Sequence, residues 1–268
     1  MQLSVLAENT ARPGFEAEHG LSLYLRVGRR RLLVDAGGSA LFARNAQKLG
    51  IDLAAVDTAV LTHGHRDHGG GLPTFLALNQ SAPIYLRPGA LDPHFSRRLH
   101  GLGDISVPPL TAGDRLVYTG STHPLGDGLL LFAGVPRDAL LPTYNRLLLN
   151  GRRQPDAFAH EQHLLIERGG RRVLVCGCGH TGIAAILRRC RLLCGHYPQV
   201  VVGGLHLSDP HTHTSEEPGR IAAVAHAVKQ AGCTLYTGHC TGPVALAQLQ
   251  HLLPGRVFPI TAGQHIDL

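Results

Sequence analysis

The sequence predicts an α/β fold in which buried strands alternate with helices along a single domain that spans residues 1–268. Three observations support this prediction. Hydrophobic residues make up 44% of the chain, which is enough to build a substantial core. Short apolar runs are followed by glycine-rich turns and then by helical patterns, and this order recurs in both halves. Several of these apolar runs end in a glycine and a histidine, which indicates that one edge of a sheet carries chemistry.

The elements of the first half follow from short apolar runs and from glycine and proline positions. Strands are predicted over residues 3–7, 21–27, 31–34, 56–61, 84–86, 116–118 and 129–132. A helix is predicted from Ser39, a residue suited to capping, to Leu49, where Gly50 ends it. A second helix covers 73–78, after a run of glycines that allows a tight turn.

The second half repeats the order of strand, glycine-rich turn and helix. Strands are predicted over 163–166, 172–176, 200–202, 235–237 and 257–260, and helices over 183–193, 217–231 and from the turn at Gly242 to Leu253. Between the halves, residues 136–160 show little periodicity. Because a loop of this length in a compact domain is more often functional than structureless, we expect it to form a lid.

The segment Thr62–His68 places four side chains of the metal-binding type within six residues: His63, His65, Asp67 and His68. Core packing does not require such a cluster, whereas imidazole and carboxylate suit zinc, manganese or iron. Gly64 allows the two histidines beside it to face one ion, and Asp67 and His68 come one step later. We therefore expect two divalent ions, zinc first and manganese or iron as alternatives.

Histidines also follow the predicted strands of the second half, at His180, His206 and His239. Because strand ends converge on one edge of a sheet, we expect these side chains to meet the cluster at 63–68. Asp35 ends an earlier strand and is either a turn residue or a carboxylate that orients a metal ligand. The histidines without this context are interpreted as structural: His94, His100, His123, His196, His211, His213, His226, His251 and His265. His211 and His213 have an alternative role at the mouth of a cavity.

The net charge of +6 comes almost wholly from arginines that lie in small separate groups. This scatter differs from the basic stripe of nucleic-acid-binding proteins, so no nucleic-acid partner is expected. An Arg-rich surface is one interpretation, and attraction of a small anionic substrate is the sharper one. Arg137, Arg152 and Arg153 in the predicted lid are candidates for binding that substrate.

The sequence also bears on location. Uninterrupted apolar runs are much shorter than the roughly 20 residues that span a bilayer, so no membrane association is expected. The six cysteines lack C-x-x-C spacing, and the first residues resemble a strand rather than a signal peptide. We expect a cytoplasmic protein with reduced thiols. The pattern makes no prediction about oligomeric state.

The chain resembles the metallo-β-lactamase-fold superfamily in the motif Thr62–His68 and in Asp35 at the end of a strand. Within that superfamily it is similar to the subgroup named for 7,8-dihydropterin-6-ylmethyl-4-(β-D-ribofuranosyl)aminobenzene 5′-phosphate synthase. The further matching motifs are Glu18–Leu23, Leu33–Gly37, Gly177–Ile183, Gly203–Leu207 and His239–Gly242. They extend over nearly the whole chain. The resemblance implies a four-layer αββα sandwich with a dinuclear site at one edge.

By position, the resemblance implies that His63, His65 and His180 bind one ion and that Asp67, His68 and His239 bind the other. Asp35 would orient these ligands from behind.

The chain departs from the superfamily at Cys178, which stands where many of its hydrolases carry a bridging aspartate. Either a thiolate bridges the ions, or no bridge forms and His180 supplies the ligand. His206 is either a ligand or a hydrogen-bond donor to substrate, and we favour substrate contact. Asp67 and His206 are the candidate catalytic residues, and His19 is a further candidate for substrate binding.

Three functions are compatible with these residues. The first is a metal-dependent hydrolase that uses a metal-bound hydroxide, present at neutral pH, on a phosphoester or related anionic small molecule. The second is a transferase of the synthase type, in which the metal polarises a leaving group. The third is a metal-binding module without catalysis.

Overall fold

Two seven-stranded sheets pack face to face, and helices cover both outer faces, in a computed structural model that describes residues 1–137 and 139–268. The predicted four-layer αββα sandwich is therefore confirmed. The strands are β1 Gln2–Ala7, β2 Ser22–Val27, β3 Arg30–Val34, β4 Thr58–Val60, β5 Ile84–Leu86, β6 Phe95–Arg98, β7 Gly101–Asp104, β8 Leu116–Tyr118, β9 Thr122–Gly126, β10 Leu129–Phe132, β11 Leu148–Leu149, β12 His163–Arg168, β13 Arg171–Val175, β14 Val200–Val202, β15 Thr234–Thr237, β16 Val257–Pro259 and β17 His265–Asp267.

The helices lie between these strands in sequence. They are α1 Leu41–Lys48, α2 Arg66–Gly69, α3 Leu72–Leu78, α4 Ile183–Cys194, α5 Pro218–Ala231 and α6 Pro243–Leu252. The predicted role of Ser39 at the start of α1 is met by a hydrogen bond from the Leu41 amide to its hydroxyl at 3.1 Å. Among the described residues, no helix combines the length and apolar character needed to cross a bilayer.

Apolar side chains hold the four layers together in three clusters. Between the sheets, Leu23 and Val34 of the first sheet pack with Leu131 and Val175 of the second. The outer face of the first sheet is covered by α1 and α3, and that of the second by α4, α5 and α6. Burying a side chain of this size stabilises the fold by about 1.5–3 kcal/mol, so all three clusters contribute to the packing of the layers.

The order of strands explains why the candidate ligands meet. In the first sheet the order is β17-β1-β2-β3-β4-β5-β8, and in the second it is β16-β15-β14-β13-β12-β10-β9. Strands β3, β4, β5 and β8 are parallel to one another, as are β13, β14, β15 and β16. The carboxyl ends of each parallel group lie at one edge, which is where such sheets bind ligands.

A third sheet of three short strands, in the order β11-β6-β7, was not predicted. Its register pairs Ser96 with Leu148 on one side and with Gly103 on the other. Strand β7 reads Gly-Leu-Gly-Asp, which lacks the apolar alternation that marks a strand. The short strands β9 and β17 were also missed, and β17 is recognisable only by its antiparallel pairing with β1.

Candidate metal centre

The carboxylate of Asp35 joins the two ends of the motif Thr62–His68. Its Oδ1 accepts a hydrogen bond from the Thr62 amide at 2.7 Å, and its Oδ2 accepts from the Thr62 hydroxyl at 2.7 Å. Oδ2 also accepts from Nδ1 of His68 at 2.6 Å. Because the Thr62 hydroxyl is donated to Asp35, its oxygen accepts from Nδ1 of His63 at 3.0 Å. Asp35 thus fixes the ring of His68 directly and that of His63 through Thr62.

Asp67, His68 and His239, which we call the second donor set, form a compact group. Nε2 of His239 lies 3.1 Å from Oδ2 of Asp67, and Nε2 of His68 lies 3.7 Å from the same oxygen. The two Nε2 atoms are 3.2 Å apart. Nδ1 of His239 donates to Oδ1 of Asn9 at 2.9 Å, so Nε2 of both histidines faces Asp67. Three converging donors of this kind fit a divalent cation.

His63, His65 and His180, which we call the first donor set, enclose a second position. Their ring centroids are 4.6, 4.9 and 5.0 Å apart, and all three rings are buried. Among the described residues, Nε2 of each ring has no hydrogen-bond partner, although burying an unpartnered polar atom is costly. Nδ1 of His180 donates to Oδ1 of Asn145 at 2.9 Å, which leaves a lone pair on its Nε2. A divalent cation would supply the partner that these three nitrogens lack in the part of the chain that the structure describes.

The electrostatics of the two sets differ. Burial lowers the pKa of His63 and of His180 well below its ordinary value, so both rings are neutral at pH 7, as metal binding requires. For His239, burial lowers the pKa, but the hydrogen bond to Asp67 and nearby negative charges outweigh it and raise the pKa to about 9. For Asp67, burial raises the pKa, but the neighbouring His68 and His239 hold it well below its usual range.

Cys178 lies between the two sets. Its Sγ is 3.1 Å from Nε2 of His68, and it lies within 4.8 Å of donor atoms of both sets. Burial raises the pKa of this thiol well above its ordinary value. The sulfur thus occupies the shared position at which the sequence lacks a bridging carboxylate.

Two more of the predicted site residues reach this group from the side. The ring centroid of His206 lies 4.3 Å from that of His180, and both of its ring nitrogens are buried without a partner. Its backbone φ of 51° is in the left-handed region, an uncommon conformation that sets the direction of the side chain. Nε2 of His19 lies 3.5 Å from Oδ2 of Asp67, and this side chain is half exposed.

A cavity of about 360 Å3 opens over the donors, a size that suits a small molecule. Asp67, Cys178, His180 and His206 line its inner part. The rest of its lining includes Arg66, Arg98, His19 and His211, the acidic residues Glu18 and Asp104, and the apolar residues Ile105 and Leu148. Two of these lining residues were not predicted as site residues: Arg66, which lies within the motif Thr62–His68, and Arg98, which lies on the unpredicted strand β6.

The arginines predicted to bind substrate lie elsewhere. Arg152 and Arg153 belong to the exposed turn after β11, and the Arg153 guanidinium stacks 5.9 Å above the ring of Phe95. Neither residue lines the cavity over the donors, and their role in substrate binding stays a prediction. Arg137 lines a separate cavity of about 230 Å3 on another side of His180 and donates to the Asp156 carbonyl at 3.2 Å.

The segment 136–160, predicted to form a lid, contains both buried and exposed residues. Residue 138 lies outside the described residues. The rest includes a short helical turn at Thr143–Leu147 and strand β11, and it buries Tyr144, Phe158 and His160. Asn145 of this segment accepts from His180, His160 accepts from the Gly64 amide, and Leu148 lines the cavity over the donors. The role of the segment as a lid stays a prediction.

Comparison with known proteins agrees with this geometry. The sequence profile of the metallo-β-lactamase superfamily matches residues 16–182, and the chain belongs to that superfamily. The structure resembles that of Tm1679, described as a metal-dependent hydrolase of the β-lactamase superfamily. The two share 27% identity over 100% of this chain and 99% of the other, with a TM-score of 0.85.

Two proteins of Methanocaldococcus jannaschii are similar in sequence. One is a 7,8-dihydropterin-6-methyl-4-(β-D-ribofuranosyl)-aminobenzene-5′-phosphate synthase, 28% identical over 90% of this chain and 88% of that protein. The other is an uncharacterised protein, 25% identical over 93% of this chain and 94% of that one. The resemblance to the synthase subgroup is thereby confirmed.

Proposed function

We propose that the protein is a metal-dependent hydrolase that acts on a phosphoester or a related anionic small molecule. One observation supports this proposal above all others. His63 and His180 of the first set and all three donors of the second converge on Cys178, at the floor of a cavity whose wall carries Arg66 and Arg98. Metal donors and cationic side chains in one cavity match the negative charge of a phosphoester and of its transition state.

The two donor sets would hold two divalent ions, and imidazole, carboxylate and thiolate together favour zinc, with manganese or iron as alternatives. When bound, such ions lower the pKa of a coordinated water and polarise a phosphoryl or carbonyl oxygen. Cys178 would be shared by both sets, in the place of a bridging carboxylate.

The side chains of the chain itself supply binding and proton transfer. Asp67 remains 23% exposed, and its carboxylate is the candidate acceptor for a proton released during hydrolysis. His206 has partnerless ring nitrogens beside His180 and is suited to donate a hydrogen bond to the bound substrate. Arg66 and Arg98 would hold the anionic group, since guanidinium binds phosphate oxygens with two parallel hydrogen bonds.

A transferase of the synthase type is the second candidate, favoured by the similarity to the M. jannaschii synthase. It would use the same donors and the same anion-binding wall, but a second substrate would replace water. Retention of the full donor group speaks against a metal-binding module without catalysis.

The test begins with elemental analysis of the purified protein, which should give two ions per chain. Metal-loaded protein is then assayed with phosphomonoesters, phosphodiesters and diphosphates, and separately with a pterin diphosphate plus an aminobenzene ribosyl phosphate, with products identified by mass. Hydrolysis supports the first candidate and a joined product the second. Metal-replete protein that turns over neither group would contradict both.

Matched variants connect any activity to the site. His63→Ala should lose metal and turnover together, whereas His226→Ala, an exposed histidine on α5, should keep both. Arg98→Met should raise KM at least tenfold while metal content stays unchanged, because one charge-assisted hydrogen bond contributes about 1.5–3 kcal/mol. Arg152→Met is its control and should leave KM unchanged.

A further inference from the structure

A second group of buried polar side chains lies directly behind the first donor set. It consists of His94, Asp156 and His160, which are 3%, 7% and 4% exposed, and we call it the back network. The sequence analysis interpreted His94 as structural and did not single out the other two. His160 and His94 both lie with ring centroids 5.6 Å from that of His65.

The hydrogen bonds of His160 in the back network have a fixed direction. The Gly64 amide can only donate, and it donates to Nδ1 of His160 at 3.0 Å. The proton of the His160 ring is therefore on Nε2, which donates to Oδ2 of Asp156 at 3.2 Å. The same oxygen lies 3.1 Å from Nδ1 of His94, whose Nε2 lies 3.0 Å from the Gly89 carbonyl oxygen, and a neutral His94 ring donates to one of these two acceptors.

Asp156 is held as a charged acceptor within this network. Burial raises the pKa of its carboxyl group, but hydrogen bonds from His160 and His94 outweigh burial and hold the pKa below its ordinary value. Its other oxygen accepts from the Phe158 amide at 2.7 Å. With both oxygens occupied, the carboxylate is fixed, and so is the ring of His160 that donates to it.

The end of the network at Gly64 is the part that concerns the metal centre. Gly64 is the residue between His63 and His65, so the orientation of its peptide sets the directions of both side chains. A Cβ at this position would lie 2.3 Å from the Ala90 carbonyl oxygen, which means that the loop is pressed against its neighbour. The Gly64 amide is thus held on a tightly packed backbone by one buried imidazole.

We propose that His160 is a positioning residue for the first donor set, and that Asp156 and His94 hold its ring in the tautomer that accepts the Gly64 amide. The inference rests on the proposed metal centre. The same arrangement argues against a third metal site in the back network. Nδ1 of His160 is engaged by the amide and its Nε2 carries the proton, so this ring offers no lone pair to an ion.

The test compares two substitutions of one residue. His160→Gln supplies an oxygen that accepts from Gly64 and an amide that donates to Asp156, whereas His160→Leu supplies neither. Each protein is stripped of metal and reloaded, and zinc affinity is measured by competition with a chromophoric chelator. Cobalt absorption spectra report the ligand geometry. His160→Leu should lower the affinity for one of the two ions by about 10–100-fold and change the cobalt spectrum. The affinities and the spectrum of His160→Gln should stay close to those of the parent.

A control variant and the possible outcomes distinguish failure of this inference from failure of the proposed function. His226→Leu, at a histidine on α5 outside both donor sets and the back network, should leave both affinities unchanged. If His160→Leu does not fold, Asp156→Asn serves in its place and should weaken the same ion. Equal affinities in the parent and in His160→Leu would overturn the inference, as would three ions per parent chain with one lost in the variant. A parent that binds no ion would overturn the proposed function instead.

Discussion

The two donor sets are held in the same manner, but their charge differs. An asparagine grips one histidine of each set at two points. Asn145 accepts from Nδ1 of His180 at 2.9 Å and donates to its carbonyl at 2.7 Å. Asn9 accepts from Nδ1 of His239 at 2.9 Å and donates to its carbonyl at 3.4 Å. The two asparagines come from distant parts of the chain, so this shared solution is a product of the tertiary fold.

The difference lies in what the donors face when no metal is bound. The first set consists of imidazoles alone, and each has an Nε2 atom without a partner. In the second set Asp67 and a protonated His239 satisfy each other, because the pKa of His239 is about 9. A cation that bound the first set would meet neutral imidazoles, whereas one that bound the second would compete with the proton shared by His239 and Asp67. Two sites whose histidines are held by the same kind of asparagine contact can therefore differ in the charge that they present to the same ion.

Substitution of Asp35, which holds residues of both sets, should have the largest effect on stability and on metal content. Asp35→Ala leaves His68 and Thr62 without their buried acceptor, so the free energy of unfolding should fall by about 3 kcal/mol or more. Denaturation of the metal-free protein in urea measures this change, and elemental analysis should show that both ions are lost. Asp114→Ala, at an exposed carboxylate, should change stability by less than about 0.5 kcal/mol. An unchanged metal content in Asp35→Ala would refute the common support.

The two asparagines allow the sets to be weakened one at a time. Asn145→Leu should lower the affinity of the ion in the first set, and Asn9→Leu that of the ion in the second, each by about 10–100-fold. Titration calorimetry with zinc resolves the two steps. If both variants weakened the same step, the division of the ligands into these two sets would be wrong.

Substitution of Cys178, whose sulfur lies between the sets, should lower metal affinity by a smaller amount that is similar for both ions. Because Sγ of Cys178 lies within 4.8 Å of donors of both sets, Cys178→Ser should weaken both ions to a similar extent, by roughly tenfold. The same zinc titration measures it, and Cys194→Ser, on the far end of α4, is the control. A loss confined to one ion would show that the thiol belongs to one set and does not bridge.

The smallest effect at neutral pH is expected from a histidine outside both sets. Burial lowers the pKa of His163 to about 3, against an unfolded value of 6.5. The unfolded chain therefore binds the extra proton below pH 6.5, and stability falls as pH drops from 6.5 towards 3, by up to about 1.4 kcal/mol per pH unit. His163→Leu should reduce the slope measured by urea denaturation of metal-free protein by this amount while changing little at pH 7, and the other buried histidines account for the rest. A slope that persisted unaltered would assign the acid sensitivity to the donor sets.

The sequence predicted much of the fold and of the donor group, for a physical reason. A parallel strand, the glycine turn after it and the following helix are close together in sequence, and parallel strands end at one edge of the sheet. The positions of His63, His180 and His239 could therefore be predicted from the residues next to them. The structure brings all six candidate ligands together, and their role as ligands stays a prediction.

What the sequence did not reveal depends on contacts between distant segments. His160 is recognisable only through the Gly64 amide, and Asp156 only through the two rings that contact it. Arg98 lies on a strand that exists because β7 and β11 pair with it. None of these contacts leaves a periodic pattern, so interpretation of the local sequence could not find them.

The close approach of Gly64 to Ala90 has a consequence for sorting relatives. Any side chain at position 64 would collide with the Ala90 carbonyl and displace the amide that His160 accepts. Glycine between the two histidines should therefore occur together with a histidine at the position of His160 and an aspartate four residues before it. Homologues with a larger residue there should have lost that pair. An alignment of such sequences would then separate two lineages, one with and one without the histidine and aspartate that hold the Gly64 amide.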